Sequence, residues 1–361
     1  MKTYVLLLGL VGGGTAFAQA PQGYYDAAAG LNGQPLKAAL HHIIKDHDAL
    51  TYNQLWIAFT LTDKKANNKV WDIYSDIPGG TPPYEHTFNV DQCGSSINNE
   101  GDCYNREHSW PRSYFNEGAP MESDLFHIYP TDGYVNGKRA DLPYGVVDTT
   151  QPFYQSLNGS RSGTNIYPGY SGTVFEPIDS FKGDLARSYF YMTTRYYGED
   201  SGWDSWAMAN GAELKQWAID MLMDWHHNDP VSAKEIDRNN AIFDLQENRN
   251  PFIDYPEFAD CIWGNATCST TVSIASVNVS KKIKVYPNPA ASAVTVDWSE
   301  VYPEERVAVD LMNIQGQLLY HKDINTKATS VTLDTRQFSG GIYWIRIQSG
   351  TMSGYSKVVL R

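Results

Sequence analysis

A glutamate and a histidine stand side by side as Glu107-His108, and an asparagine follows further along the chain at Asn136. The carboxylate oxygen of Glu107 and the amide oxygen of Asn136 are hard ligands of the kind that Mg²⁺ or Ca²⁺ prefers. An imidazole, with a pKa near neutrality, can remove a proton from an attacking water. Adjacent strand residues point to opposite faces, so these residues require a local irregularity or a cation between strand and helix.

The residues around this pair form three blocks with a specific spacing. They are Asn105-Arg106-Glu107-His108-Ser109-Trp110-Pro111-Arg112, Met121-Glu122-Ser123-Asp124-Leu125-Phe126-His127-Ile128-Tyr129-Pro130 and Val135-Asn136-Gly137-Lys138-Arg139. This constellation resembles the endonuclease I family, whose nucleases are of the His-Me finger, or ββα-metal, type. The resemblance implies that Glu107 and Asn136 are metal ligands, His108 the general base and Glu122 a supporting carboxylate.

Two departures from the family pattern affect the expected phosphate-binding groups. Phe126 stands where the family usually has His, and His127 where it has Asn. The chain also lacks the long insertion in which some members carry a phosphate-binding arginine. The remaining candidates, for each of which an ordinary ion pair is the alternative, are Arg106, Arg112, Arg139, Arg187 and Arg249.

The resemblance implies a metal-dependent endonuclease that hydrolyses DNA, and potentially RNA, with little sequence preference and leaves 5′-phosphate ends. One divalent cation is expected, Mg²⁺ first, with Ca²⁺ or Mn²⁺ as alternatives. Two other functions stay open. One is an extracellular ribonuclease or narrower phosphodiesterase, and the other is a non-catalytic surface adhesin or glycan-binding protein.

The elements that must position these residues can be predicted in outline. Apolar periodicity predicts helices over 36–55, 183–197 and 211–227, and short β-rich runs predict strands over 70–77 and 86–90. Together with the resemblance, this gives an α+β nuclease domain built on a ββα-metal motif with added helices.

The N-terminus and the cysteines indicate export. Residues 1–20 have a basic start, a short apolar run and an Ala-x-Ala end, which is typical of a secretory signal. In an exported protein the four cysteines are expected to form local disulfides, Cys93 with Cys103 and Cys261 with Cys268. No run is long enough to span a bilayer, and a monomer is expected.

The charge distribution is unusual for a protein that binds a polyanion. Residues 21–280 carry 17 Lys and Arg against 34 Asp and Glu, a net charge of −17. Binding of nucleic acid therefore requires that cations cluster in one cleft.

Composition changes to Ser, Thr and Val over 269–281, which predicts a linker between a catalytic domain at 21–268 and a tail at 282–361. Seven short β-branched runs in the tail predict a small antiparallel β-sandwich. Val285-Tyr286-Pro287-Asn288-Pro289, Gly340-Gly341-Ile342-Tyr343 and Lys357-Val358-Val359-Leu360-Arg361 resemble the C-terminal sorting domain of type IX secretion substrates. That resemblance implies export through the periplasm of a Gram-negative bacterium, the secretion machinery as a partner, and a secreted or surface-attached product.

Overall fold

The computed structural model describes residues 20–21, 23–94, 97–264, 277–278, 282–301, 307–313, 318–324, 328–349 and 352–361. The chain divides into two compact units, residues 1–267 and 268–361. The expected signal sequence, apart from Ala20, and the expected linker, apart from 277–278, lie outside the described residues. No helix in the described ranges is long and apolar enough to cross a membrane.

The first unit mixes helices with short strands. Its helices are α1 (Gly33–Ile44), α2 (Leu55–Thr62), α3 (Gly133–Arg139), α4 (Lys182–Arg195), α5 (Gln216–Asn228), α6 (Ala233–Gln246), α7 (Pro251–Asp254) and α8 (Phe258–Trp263). Its strands are β1 (Tyr104–His108), β2 (Ile128–Asp132), β3 (Tyr154–Gln155), β4 (Arg161–Thr164), β5 (Thr173–Glu176), β6 (Ala209–Asn210) and β7 (Glu213–Leu214).

Strands β1 and β2 form an antiparallel pair that leads directly into α3. The register is regular, with Tyr104 opposite Asp132 and His108 opposite Ile128. Asp132 ends β2 and caps α3, because its side chain accepts hydrogen bonds from the backbone N–H groups of Tyr134 and Val135. The end of the strand and the start of the helix are therefore fixed by one carboxylate.

Helix α4 is the centre of the unit. All of its residues from Gly183 to Arg195 are buried, and it packs against α1, α5 and α7. A helix that is enclosed on all sides must pair its polar groups internally. Arg187 on α4 does so with Glu235 on α6, at 2.5 and 2.8 Å.

Four of the expected elements differ from the structure. The helix expected over 211–227 begins at Gln216, because Glu213–Leu214 form strand β7, which pairs with β6. The helix expected over 36–55 ends at Ile44, and the chain then turns so that the Asp48 amide donates to the Gln246 carbonyl. The strands expected over 70–77 and 86–90 are wrong. The Asp72 side chain accepts hydrogen bonds from the Tyr74 amide and the Ser75 hydroxyl, which favours turns in place of a sheet ladder.

The loop before β1 is closed by a disulfide between Cys93 and Cys103, as expected. The second expected pair includes Cys268, which lies outside the described residues.

The second unit is rich in β-structure. Its strands are β8 (Val277–Asn278), β9 (Lys284–Tyr286), β10 (Ala293–Asp297), β11 (Val307–Met312), β12 (Leu318–Ile324), β13 (Ser330–Asp334), β14 (Gly341–Ser349) and β15 (Met352–Leu360). They form a three-stranded sheet, β13-β10-β9, and a five-stranded sheet, β12-β11-β14-β15-β8, which share one apolar core. All pairs are antiparallel except that of β8 with β15.

Candidate active site

The imidazole of His108 is held in one orientation by the backbone. Its Nε2 atom lies 3.1 Å from the carbonyl oxygen of Glu122. A carbonyl oxygen can only accept, so Nε2 carries the proton and a neutral ring has its lone pair on Nδ1. Nδ1 has no hydrogen bond within the described residues. Burial, with a smaller contribution from His127, lowers the pKa of His108 well below its usual value, which keeps the ring neutral at neutral pH.

Aromatic rings surround His108 on the side away from α3. Its ring stacks on Tyr52 with 5.9 Å between centroids and lies 6.2 Å from Phe115 and 5.5 Å from His127. Only 5% of the residue is exposed. The ring is therefore confined, and Nδ1 is its nitrogen without a hydrogen bond within the described residues.

Two guanidinium groups share this side of the strand. The Arg106 guanidinium carbon lies 3.6 Å from the centroid of the Tyr52 ring, and that of Arg112 lies 4.9 Å from it. Arg106 is two residues before His108, so strand alternation places both side chains on the same face of β1. The site thus combines a neutral base with two cations.

Glu107 points to the opposite face of β1, toward α3, and is 2% exposed. Its Oε1 atom accepts hydrogen bonds from the Tyr74 hydroxyl at 2.7 Å and from Arg139 Nη1 at 3.1 Å. Burial raises the pKa of Glu107 to about 7, against the opposing effect of the Arg139 charge. The positive charge of Arg139 therefore does not fully offset the cost of burying the Glu107 carboxylate.

Asn136 sits on the face of α3 that packs against β1. Its Nδ2 donates to Asn105 Oδ1 at 2.7 Å and lies 3.4 Å from the Arg106 carbonyl oxygen. These contacts orient the amide, and its Oδ1 has no donor within the described residues. Asn136 thus lies on the α3 side of β1, the side to which the Glu107 side chain points.

The donor set fits a hard divalent cation. It consists of the buried Glu107 carboxylate, whose charge is only partly offset by Arg139, and the Asn136 amide oxygen, which accepts no hydrogen bond within the described residues. The described residues contain no cluster of three or more His, Cys, Asp or Glu side chains that could hold a metal ion. A cation here would therefore take most of its ligands from water and phosphate, which is the usual habit of Mg²⁺.

Glu122 contributes its backbone carbonyl to His108, a contact that its residue type does not reveal. Its side chain is 29% exposed and lies 3.6 Å from Arg112 Nη2. A role for the carboxylate stays a prediction.

Three of the five candidate arginines are enclosed in ion pairs. Arg139, 1% exposed, bonds to Glu107 and to the carbonyl oxygens of His108 and Ser109. Arg187 and Arg249 are 0% and 2% exposed. Arg187 pairs with Glu235 as described above, and Arg249 pairs with Asp254 at 2.7 Å. The guanidinium groups of these three arginines are buried and occupied by protein partners, so they are no longer candidates for phosphate binding. Of the five, Arg106 and Arg112 stay candidates.

Tyr52 and Tyr74 are site residues that the sequence did not indicate. Tyr52 precedes α2 and contacts His108 across 56 positions, and Tyr74 lies in a turn region for which the sequence pattern predicts a strand. The only signal for Tyr52 in the sequence is the aromatic residue four positions later, Trp56, and that spacing is common in ordinary cores.

Two regions of the chain are similar to known families and proteins. The Endonuclease I family matches residues 32–257, and the Secretion system C-terminal sorting domain matches residues 284–361. The Extracellular ribonuclease of Bacillus amyloliquefaciens is 38% identical over 248 residues, covering 66% of this chain and 78% of that protein. The Endonuclease-1 of Buchnera aphidicola from Acyrthosiphon pisum is 27% identical over 133 residues, 37% of this chain and 45% of its own length. An Extracellular deoxyribonuclease of Aeromonas hydrophila is 26% identical over 134 residues, 37% of this chain and 50% of its own length.

These similarities identify the chain as a nuclease, which is a hydrolase, and the sorting domain supports secretion or a cell-surface location. The chain belongs to the endonuclease I family. This membership favours the enzyme over the non-catalytic adhesin.

Proposed function

We propose that this protein is a secreted, metal-dependent endonuclease that hydrolyses phosphodiester bonds of DNA and RNA, with His108 as the general base. The observation that carries the proposal is the orientation of the His108 ring by the Glu122 carbonyl, which leaves Nδ1 as a neutral proton acceptor beside two guanidinium groups. General bases held in this way contribute about 10²- to 10⁴-fold to a rate.

In the proposed reaction, His108 Nδ1 takes a proton from the water that attacks phosphorus. The new bond joins the water oxygen to phosphorus, and the bond from phosphorus to the 3′ oxygen breaks. The departing oxygen takes a proton from solvent, and His108 later returns its own proton to solvent. The products are a 5′-phosphate and a 3′-hydroxyl.

Glu107 and Asn136 would hold the cation, for which Mg²⁺ is the first choice. When bound, it supplies Lewis-acid stabilisation of the charge that grows on the phosphate oxygens. Arg139 and Tyr74 hold the Glu107 carboxylate in place from behind. Asn105 fixes the amide of Asn136, so that its oxygen remains free for this role.

The opposite orientation of Glu107 and His108 is compatible with a shared phosphate. Within the described residues, β1 pairs only with β2, apart from one bridge between Tyr104 and Gln92. Among the described residues no strand pairs with the other edge of β1 over 105–108, where the side chains of Asn136 and Arg139 on α3 donate to the carbonyl oxygens of Arg106 and His108. A phosphate bound at this edge, beside α3, would lie between the two faces of the strand. This placement is part of the proposal.

Recognition of the backbone alone predicts weak sequence preference. Relatives named as ribonuclease and as deoxyribonuclease support a site that accepts both sugars. The alternative is a ribonuclease, which is supported by the two Bacillus relatives named Extracellular ribonuclease. In this alternative the 2′-hydroxyl of the substrate is the nucleophile. The sorting domain supports delivery through the periplasm and the type IX route.

Product analysis tests the proposal. The full chain is incubated with supercoiled plasmid and with RNA, with Mg²⁺ and with EDTA, and the new ends are labelled. The proposal expects cutting of both polymers, dependence on the cation, and 5′-phosphate ends. Cutting of RNA alone with 2′,3′-cyclic phosphate ends would contradict it and support the alternative.

A further inference from the structure

Arg106 differs from the other candidate arginines because it makes no ion pair within the described residues. Its one hydrogen bond runs from Nη1 to the backbone carbonyl of Tyr52, at 2.9 Å. Arg112, by contrast, lies 3.1 Å from Glu117 and 3.6 Å from Glu122. Arg106 is thus the guanidinium beside His108 whose charge has no carboxylate partner.

Two aromatic rings hold Arg106 without neutralising it. Its guanidinium carbon lies 3.6 Å from the centroid of the Tyr52 ring and 4.5 Å from that of Trp56. Such stacking occupies the flat faces of the guanidinium and leaves its N–H edge for a planar acceptor. The free N–H groups of Arg106 match the oxygens of a phosphodiester.

The ring of Tyr52 also stacks on the ring of His108, with 29° between the two planes. Tyr52 therefore touches both the proposed base and the unpaired cation, while its backbone carbonyl accepts from that cation. Arg106 and His108 lie on the same face of β1. The Tyr52 ring, which contacts both side chains, therefore fixes the distance between them.

We infer that Arg106 binds the phosphate of the bond that is cut and that Tyr52 is a positioning residue, which holds Arg106 and the His108 ring in one arrangement. The inference rests on the proposed function and deepens it by assigning the anion-binding group. In a region with a net charge of −17, Arg106 would offer a phosphate a cation that makes no ion pair within the described residues.

Steady-state kinetics on a short DNA duplex with Mg²⁺ test the inference. The variants are Arg106→Gln, Arg112→Gln, Tyr52→Phe, Tyr52→Leu and the double variant Arg106→Gln/Tyr52→Leu. Tyr170→Leu is the matched control, because Tyr170 is another half-buried tyrosine, stacked on Trp217 outside this cluster. Thermal melting confirms that each variant folds.

Loss of a charged hydrogen bond to phosphate should lower kcat/KM of Arg106→Gln by about 10- to 100-fold. It should also reduce the slope of log kcat/KM against log salt concentration by about one. Arg112→Gln should lose less, because Arg112 is already engaged by glutamates. Tyr52→Leu should lower kcat/KM by about fivefold, and Tyr52→Phe should restore it, since the ring and not the hydroxyl makes these contacts.

The double variant separates positioning from general support of the fold. If Tyr52 acts through Arg106, the loss in Arg106→Gln/Tyr52→Leu is smaller than the product of the two single losses. Fully multiplicative losses, or an equal loss in Tyr170→Leu, would overturn the role of Tyr52.

Activity of Arg106→Gln within twofold of the parent, with an unchanged salt slope, would overturn the phosphate assignment. If His108→Ala is inactive in the same assay, the proposed function survives that result. An inactive parent protein would instead contradict the proposed function itself, so the two failures can be distinguished.

Discussion

The Nε2 atom of His108 lies 3.1 Å from the backbone carbonyl oxygen of Glu122, although fourteen positions separate the two residues. The contact forms because β1 ends at His108 and the chain returns through the turn at Met121–Ser123 before entering β2. A backbone acceptor fixes the tautomer of an imidazole regardless of the side chain that carries it.

This relationship predicts the protonation of the ring directly. In protein labelled with ¹⁵N at histidine, the His108 signals at neutral pH should show a neutral ring with its proton on Nε2. Glu122→Gln should leave that tautomer unchanged, because the carbonyl and not the carboxylate makes the bond. A proton on Nδ1 at neutral pH would contradict the proposed base.

Arg139 is predicted to contribute to stability. Arg139→Gln leaves the Glu107 carboxylate buried without its ion pair, which should cost about 3 to 5 kcal/mol in the free energy of unfolding. Chemical denaturation measures this cost. Arg112→Gln is the control, because its exposed pair with Glu117 should be worth no more than about 1 kcal/mol. Similar losses in both variants would show that the buried pair has no special weight.

Asn136 is predicted to bind the cation through its amide oxygen. Asn136→Ala should weaken Mg²⁺ binding, measured by calorimetry without substrate, by about tenfold or more, since even indirect partners of a metal site cost that much. Asn228→Ala, at an exposed position at the end of α5, is the control and should bind Mg²⁺ like the parent. Unchanged affinity in Asn136→Ala would remove this residue from the proposed ligand set.

His226 should make stability depend on pH. Burial and the charge of Arg187 lower its pKa to about 4. As pH falls below about 6.5, His226 takes up a proton in the unfolded chain but stays neutral in the folded protein. Its contribution to the free energy of unfolding is therefore fully present above that pH and is lost toward pH 4. The loss is at most about 3 kcal/mol.

Unfolding curves at a series of pH values test this expectation with His226→Gln, whose difference from the parent should shrink between pH 6.5 and 4. His42→Gln, at an exposed position on α1, is the control. A difference between parent and His226→Gln that stays constant over this range would contradict the assignment.

The tail shows what local pattern can predict. One of the seven short β-branched runs that predict strands in the tail lies at 294–298, and it is found as β10 (Ala293–Asp297), with Val294 and Val296 buried on one face. Alternation of this kind is visible within a single run of five residues, so no distant partner is needed to recognise it. The parallel pairing of β8 with β15 joins residues that are far apart in the sequence, so no local pattern predicts it.

In the first unit, motif spacing indicated the residue types of the site, but tertiary packing decides their use. Arg106 and Arg139 were equal candidates for phosphate binding. The structure pairs Arg139 with a carboxylate 32 positions away and stacks Arg106 on a tyrosine 54 positions away. Such partners come from different elements, so a one-dimensional pattern cannot separate an internal guanidinium from an available one. Asp72 is a further example, because its side chain accepts a hydrogen bond from the Tyr74 amide and favours a turn where the pattern predicts a strand.

The most direct test of the central claim is a plasmid-nicking assay of His108→Gly with Mg²⁺, with and without added imidazole. If His108 Nδ1 removes the proton from the attacking water, the substitution should lower the nicking rate by about 10²- to 10⁴-fold. Free imidazole should restore part of the rate, with a dependence on the neutral form of the base. Nicking by His108→Gly at the parent rate, or a deficit in this folded, Mg²⁺-binding variant that imidazole does not relieve, would contradict the account.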